Sequence, residues 1–154
     1  MNRRAFIGAG ALVALSAGGF FAADGQNLLY AAITEEFPGG ILTAPEAHTK
    51  AVSGEITLVD IRRPDEWERT GSGEGAHRID LRIADFAAQV REAAGGSLDA
   101  PIALICARGV RSARTSNQLI AAGFTNIIDV PEGMLGSAAG PGWLERGLPV
   151  VKDN

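Results

Sequence analysis

Apolar residues along this chain fall into two rhythms. "ITLVDI" (Ile56 to Ile61), "PIALIC" (Pro101 to Cys106) and "NIIDV" (Asn126 to Val130) are short, nearly unbroken runs of branched and leucine side chains. Such runs mark strands buried on both faces. Between them the spacing lengthens. "IADFAAQVREAA" sets Ile83, Phe86, Ala87 and Val90 on one stripe and is closed by Gly95-Gly96, which predicts a helix over 83–94. "VRSARTSNQLIAAG" reads as another helix, stopped at Gly123. Upstream, "ILTAPEAHTKAVSGE" predicts a short strand and then a helix from Pro45 to Val52, begun at Thr43 or Ala44. "PDEWER" is a proline-led helical turn, Gly71, Gly73 and Gly75 mark a loop, and a short strand is expected near Arg78 to Asp80. The tail predicts a glycine-rich loop and a short last helix.

Strands alternating with helices imply parallel strands joined by right-handed crossovers, an α/β sandwich with helices on both faces of a central sheet. Ligands of such sheets sit outside the carboxyl ends of the strands. Cys106, the one cysteine in 154 residues, lies at such an end.

The N-terminal region differs. Residues 24–40 show no convincing period and end in the breaker cluster "FPGG", so a linker is expected there. Before it, Arg3 and Arg4 precede an uncharged run from Ala5 to Ala23. This is the pattern of an export signal and is similar to the twin-arginine type. No clean A-x-A cleavage site follows, and about 20 apolar residues span a bilayer, so an uncleaved anchor is the alternative. The expected organisation is a signal over 1–23, a linker over 24–40 and one domain over 41–154. The expected location is the periplasm, with inner-membrane attachment only if the signal stays on.

Composition narrows the function. With 46% apolar and 21% charged residues the domain can bury a proper core. One cysteine excludes an intramolecular disulfide framework. A net charge of −4, with no Lys/Arg-rich block after the N-terminus, disfavours nucleic acid as a partner. Two distant histidines and one cysteine leave no metal-ligand spacing, and no phosphate-loop or dinucleotide fingerprint is present.

The chemistry concentrates in Cys106-Ala107-Arg108-Gly109-Val110-Arg111, ahead of a helix expected to begin near Ser112. Gly109 permits a tight curl, so backbone amides from Ala107 to Ser112 would converge as an anion-binding nest. The helix N-terminus adds partial positive charge. Arg108 and Arg111 add full charges and planar forks for an oxyanion. That setting favours thiolate over thiol, below the free value of about 8.5. The competing reading, a small buried hydrophobe at a strand end, loses weight beside two arginines. Asp60, Arg62 and Glu66 follow a strand near the same sheet end and are expected to support the pocket through ion pairs. His48 is expected in solvent and His77 in a surface loop. Glu35-Glu36 reads as a solvated pair. Trp67 and Trp143 read as core or rim packing, with Trp143 a candidate for the pocket mouth.

"CARGVRS" resembles the active-site loop of rhodanese-type sulfurtransferases, Cys-x-x-Gly-x-Arg followed by Ser or Thr. "LVDIRRPDEW" is similar to the family's Asp-x-Arg segment. "GSGEGAHRI" is similar to Gly-His-Ile-x-Gly-Ala-x-x-Ile, with Ser72 for the histidine and Gly73 for the isoleucine. "AAGFTNIIDVPEGM" resembles the stretch ending in Gly-Gly-Met, with Glu132 for the first glycine, and a glycine-rich insert from Ser137 to Gly142 follows. The resemblance spans Ile41 to Val151.

It implies a rhodanese-like three-layer sandwich around about five parallel strands. It also implies a two-step reaction: Cys106 takes sulfane sulfur from a small anionic donor such as thiosulfate, holds it as a persulfide, and yields it to a thiol or cyanide-like acceptor. In that scheme Cys106 is the nucleophile, Arg111 and Arg108 bind the donor, and Ala107, Gly109, Val110 and Ser112 complete the cradle. Asp60 and Arg62 support the pocket. No cofactor is expected beyond the covalent persulfide, and the protein is expected to be a monomer. Two other readings stand beside it: a persulfide carrier or binding module serving a partner protein, and a cysteine phosphatase of the same fold. Phosphatases of this kind resemble Cys-x5-Arg; four residues separate Cys106 from Arg111 here, a smaller ring that suits a sulfane sulfur.

Overall fold

Leu58, Val59, Ala103 and Leu104 have no exposed surface, because the strands that carry them lie inside a parallel sheet covered on both faces. The structure, a computed structural model, describes residues 25–152. Along the chain run α1 (25–33), β1 (Gly40–Ile41), α2 (Ala44–Val52), β2 (Thr57–Asp60), α3 (Pro64–Thr70), β3 (Ser72–Gly73) and β4 (Ala76–Arg78). They are followed by α4 (Phe86–Ala93), β5 (Ile102–Ile105), α5 (Val110–Ala121), β6 (Ile127–Asp129), α6 (Gly142–Glu145) and β7 (Val150–Val151). The main sheet has the order β1-β6-β5-β2-β4, and its neighbouring strands are all parallel. The expected architecture is therefore present.

Side chains alternate across the sheet. Ile102, Leu104 and Cys106 face a core shared with Phe86 and Val90 of α4 and Leu119 of α5. Ala103 and Ile105 face the opposite core with Ala44 and Ala47 of α2 and Trp143 of α6. Registers align the carboxyl ends: Asp60 lies opposite Ile105, and Leu104 opposite Asp129. The site is built along that edge. On the α2 side, Thr43 caps the helix through a reciprocal bond pair with Glu46, so the turn starts where its sequence allows.

Several boundaries shift for local reasons. The short strand expected near Arg78 to Asp80 sits at Ala76–Arg78, because Asp80 accepts from the backbone and side chain of Arg82 and turns the chain there. The helix expected from Ile83 starts at Phe86, after turn bonds from Ile83 N–H to Asp80 and from Phe86 N–H to Ile83. The Gly71–Gly75 loop contains β3, which pairs antiparallel with β7. His77 belongs to β4 and is exposed.

The stretch expected as a linker is instead ordered against the domain. Residues 25–33 are helical, Glu35 pairs with Arg114 at 2.8 Å, Asn117 donates to the Glu36 carbonyl, and Phe37 packs on the α4–α5 core. The predicted signal over 1–23 lies outside the described residues. Among those residues no helix is long and apolar enough to cross a membrane.

Candidate active site

Cys106 is the first residue after β5 and is 1% exposed. The chain then reverses sharply at Gly109, whose φ of 83° is left-handed and caps α5. This places the Gly109 N–H 3.2 Å from Cys106 Sγ, donating to it. α5 begins at Val110, the first residue of the run read as a helix, so Arg111 and Ser112 sit in its first turn. The positive end of a 12-residue helix thus faces the sulfur. Ser112 is fully buried, and its Oγ lies 3.6 Å from Sγ.

A second loop braces the first. Met134 and Leu135 donate to the carbonyls of Cys106 and Ala107 at 2.8 and 2.9 Å. The two loops touch so closely that a Cβ at Gly109 would overlap the Pro131 carbonyl, and one at Gly133 the Ala107 carbonyl. Glu132, which stands where the family pattern has glycine, is buried and anchors the far side of this loop. It accepts from Ala44 N–H, Gly142 N–H and the Arg146 guanidinium. Burial pushes its carboxyl up, but Arg146 and the two amides outweigh this and hold it below the usual carboxylate range.

Above Sγ is an open pocket of about 250 Å³ lined by Tyr30, Glu66, Cys106, Arg108, Arg111 and Leu135, with Ala107 and Val110 at its base. Arg111 borders it but directs both terminal nitrogens to the Glu66 carboxylate, at 2.8 and 2.7 Å. That contact is the main cause raising the Arg111 pKa, against the opposing effect of burial. Burial pushes Glu66 up, yet the Arg111 fork and the Arg63 backbone together keep its carboxyl below the ordinary range. Arg108 forms part of the pocket wall and is tied back by its neighbours. Its guanidinium lies 5.3 Å from the Tyr30 ring centroid and donates to the Gly136 carbonyl at 3.2 Å.

Asp60 and Arg62 lie beneath the pocket wall. Arg62 Nε donates to Asp60 Oδ1 at 2.9 Å and Nη2 to Oδ2 at 2.7 Å; the fork also reaches Thr70 and the Gly71 carbonyl. Ser72, in place of the family histidine, donates to Asp60 Oδ2 at 2.7 Å, so this buried pair is hydrogen-bonded throughout. Trp143 is not at the pocket mouth: it is fully buried, its Nε1 donates to the Pro149 carbonyl, and a Cβ at Gly73 would strike its ring. His48 is half-buried; it stacks edge-on against Trp143 and shares a 2.8 Å hydrogen bond with Glu74.

Two residues escaped the sequence reading. Tyr30 lies in a stretch without period, and nothing there announced it. Asp129 ends the "NIIDV" strand at the same sheet edge. It is 3% exposed, and burial raises its carboxyl to about 6. An acid closing an apolar strand was the available signal.

Residues 43–139 match the model of the rhodanese-like domain. The chain belongs to this family. Within it, the sequence is 33% identical over 76 residues to the thiosulfate sulfurtransferase GlpE of Pseudomonas syringae pv. syringae (strain B728a), a match covering 49% of this chain and 66% of that protein. The fold is similar to that of the polysulfide-sulfur transferase homodimer of Wolinella succinogenes, with a TM-score of 0.58 at 23% identity over 89% of this chain and 93% of that one. It is also similar to a protein of unknown function from Rhodopseudomonas palustris CGA009 described as a possible tyrosine phosphatase. There the TM-score is 0.53 at 25% identity, over 73% and 85% of the two chains.

Proposed function

We propose that the protein moves a sulfane sulfur from thiosulfate or a similar donor to a thiophilic acceptor through a persulfide on Cys106. The observation that carries this is the short ring from Cys106 to Arg111, whose Gly109 amide donates to Sγ beneath an open pocket. In the first step Sγ attacks the outer sulfur of the donor; the donor's S–S bond breaks and sulfite leaves with the electron pair. In the second, an acceptor such as cyanide attacks the terminal sulfur and Cys106 departs as thiolate. Gly109 N–H and the α5 terminus stabilise the anionic sulfur in both states, as preorganised donors do elsewhere. Arg111 attracts the donor and Glu66 moderates that attraction.

Purified protein given thiosulfate and cyanide should form thiocyanate, and Cys106→Ser should abolish it. Mass spectrometry should show one added sulfur on Cys106 after donor alone. Turnover of an aryl phosphate without sulfur transfer would overturn the reading in favour of a phosphatase. A carrier role toward a partner protein is favoured by Leu135, which is 43% exposed at the pocket rim; sulfur loading without turnover on small acceptors would single it out. The Arg3-Arg4 segment supports delivery to the periplasm, which fractionation of a tagged full chain would test.

A further inference from the structure

The two sides of α1 meet different surroundings. Asn27, Tyr30, Ala31 and Thr34, spaced i, i+3, i+4 and i+7, share one side. They line the cavities between the helix and the domain, where Tyr30 meets Arg108. The other side carries Leu28, Leu29, Ala32 and Ile33, spaced i, i+1, i+4 and i+5. There Leu28 is 71% exposed, Leu29 60% and Ile33 51%. Scattered exposed apolar residues are ordinary in a folded protein. Three large ones on one side of a short helix form a patch, and a patch marks a contact. The helix cannot simply roll to hide them. Tyr30 holds it to the cysteine loop, and the Glu35–Arg114 pair, the Asn117–Glu36 bond and Phe37 fix the chain that leaves it.

The neighbouring sequence says what covers the patch. No charged residue occurs from Gly25 to Thr34, so laying this helix on an apolar medium desolvates no charge. Asp24 alone separates it from the uncharged run of Ala5 to Ala23. A run of about 20 apolar residues is long enough to span a bilayer, and basic residues such as Arg3 and Arg4 favour the cytoplasmic side of one. We propose that the Leu28–Leu29–Ile33 face of α1 lies in the surface of the bilayer that this run would enter. Interfacial helices bury their apolar side about 5–10 Å into the headgroup boundary. Because α1 has no lysine or arginine, apolar contact holds it there and anionic lipid is not required.

The contact bears on the site. Tyr30, on the opposite side of the same helix, is a wall of the Cys106 pocket, so a helix lying on the bilayer holds that pocket beside the membrane. The inference goes beyond the sulfur-transfer reading and does not rest on it.

The test uses the full chain in phosphatidylcholine vesicles. Leu29→Cys, Ile33→Cys and Ala122→Cys are made singly over Cys106→Ser and labelled with an environment-sensitive fluorophore. Ala122 is the exposed residue at the end of α5 away from the cysteine loop and serves as the control. Labels at 29 and 33 are expected to shift to the blue and to be quenched by lipids carrying a nitroxide near the headgroup. The label at 122 is expected to do neither and to be quenched by aqueous iodide. Labels at 29 and 33 that behave like the one at 122 overturn the proposal, as does a full chain that separates from the vesicles on flotation. A blue shift without quenching by the lipid nitroxide also overturns it. In that case a protein surface covers the face, a second copy if the shift grows with protein concentration. Sulfur loading of Cys106 is measured on the parent chain, so a failure there leaves the membrane contact standing.

Discussion

Arg111 grips Glu66 with both terminal nitrogens, at 2.8 and 2.7 Å, across 45 residues of sequence. The pair leaves the Arg111 side chain 32% and the Glu66 side chain 11% exposed. A guanidinium held this way has its fork occupied and its charge largely balanced. An anionic donor therefore meets a weaker field than the sequence alone suggested. Glu66→Gln should free that charge and lower the KM for thiosulfate by about three- to tenfold, corresponding to roughly 1 kcal/mol for a partly exposed charge pair. Steady-state kinetics at low ionic strength would show it. An unchanged KM would mean that Arg111 does not govern donor binding.

Gly109 and Gly133 hold the two loops in contact. Alanine at Gly109 carries about 1–2 kcal/mol for the left-handed backbone, and its methyl group would also overlap the Pro131 carbonyl. Alanine at Gly133 meets the Ala107 carbonyl in the same way. Each variant should lose clearly more stability in urea than Gly147→Ala. Gly147 shares the left-handed backbone, φ 68°, but a Cβ there meets nothing within 4 Å, so the excess reports the loop contact.

Arg108 and Tyr30 join α1 to the cysteine loop. A partly exposed cation–π contact contributes about 0.5–1 kcal/mol, so the wall it makes is light. Arg108→Ala or Tyr30→Ala should raise the alkylation of Cys106 by a bulky maleimide by about two- to fivefold while leaving iodoacetamide nearly unaffected. Equal gains for both reagents would show instead that the loop itself had loosened.

How far the fold could be read depended on what each residue faces. β2, β5 and β6 were legible because both their faces are buried, which leaves an unbroken apolar run in the sequence. The Cys106 loop was legible because its chemistry is local: one glycine, two arginines and a helix start within seven residues. The β3–β7 pair was not, since two-residue strands joined across the fold leave no period. Nor was α1. Its leucines at 28 and 29 and Ile33 are exposed while Tyr30 turns toward the pocket, so its apolar pattern advertises no buried face. The Arg111–Glu66 grip belongs to tertiary structure alone: the sequence offered both residues and no sign that one would occupy the other.

The burial of Asp129 should leave a mark on stability. Its carboxyl moves from 3.8 to about 6 on folding, so the folded chain binds a proton more tightly than the unfolded one. The resulting stability is fully present below about pH 4 and is lost as pH rises through about 6, a change on the order of 3 kcal/mol. Glu66 and Glu132 act in the opposite sense, being held below the usual range when folded; their contributions are present at neutral pH and fade as pH falls. The raw pH profile therefore mixes both signs, and the informative quantity is the difference between Asp129→Asn and the parent. Asparagine does not titrate, so the variant should gain on the parent between about pH 4 and pH 6 and hold that gain above it. Urea denaturation at three pH values measures the difference. A gap that stays constant across that window would mean that Asp129 titrates as it does in the unfolded chain, and that its burial is not what lifts it.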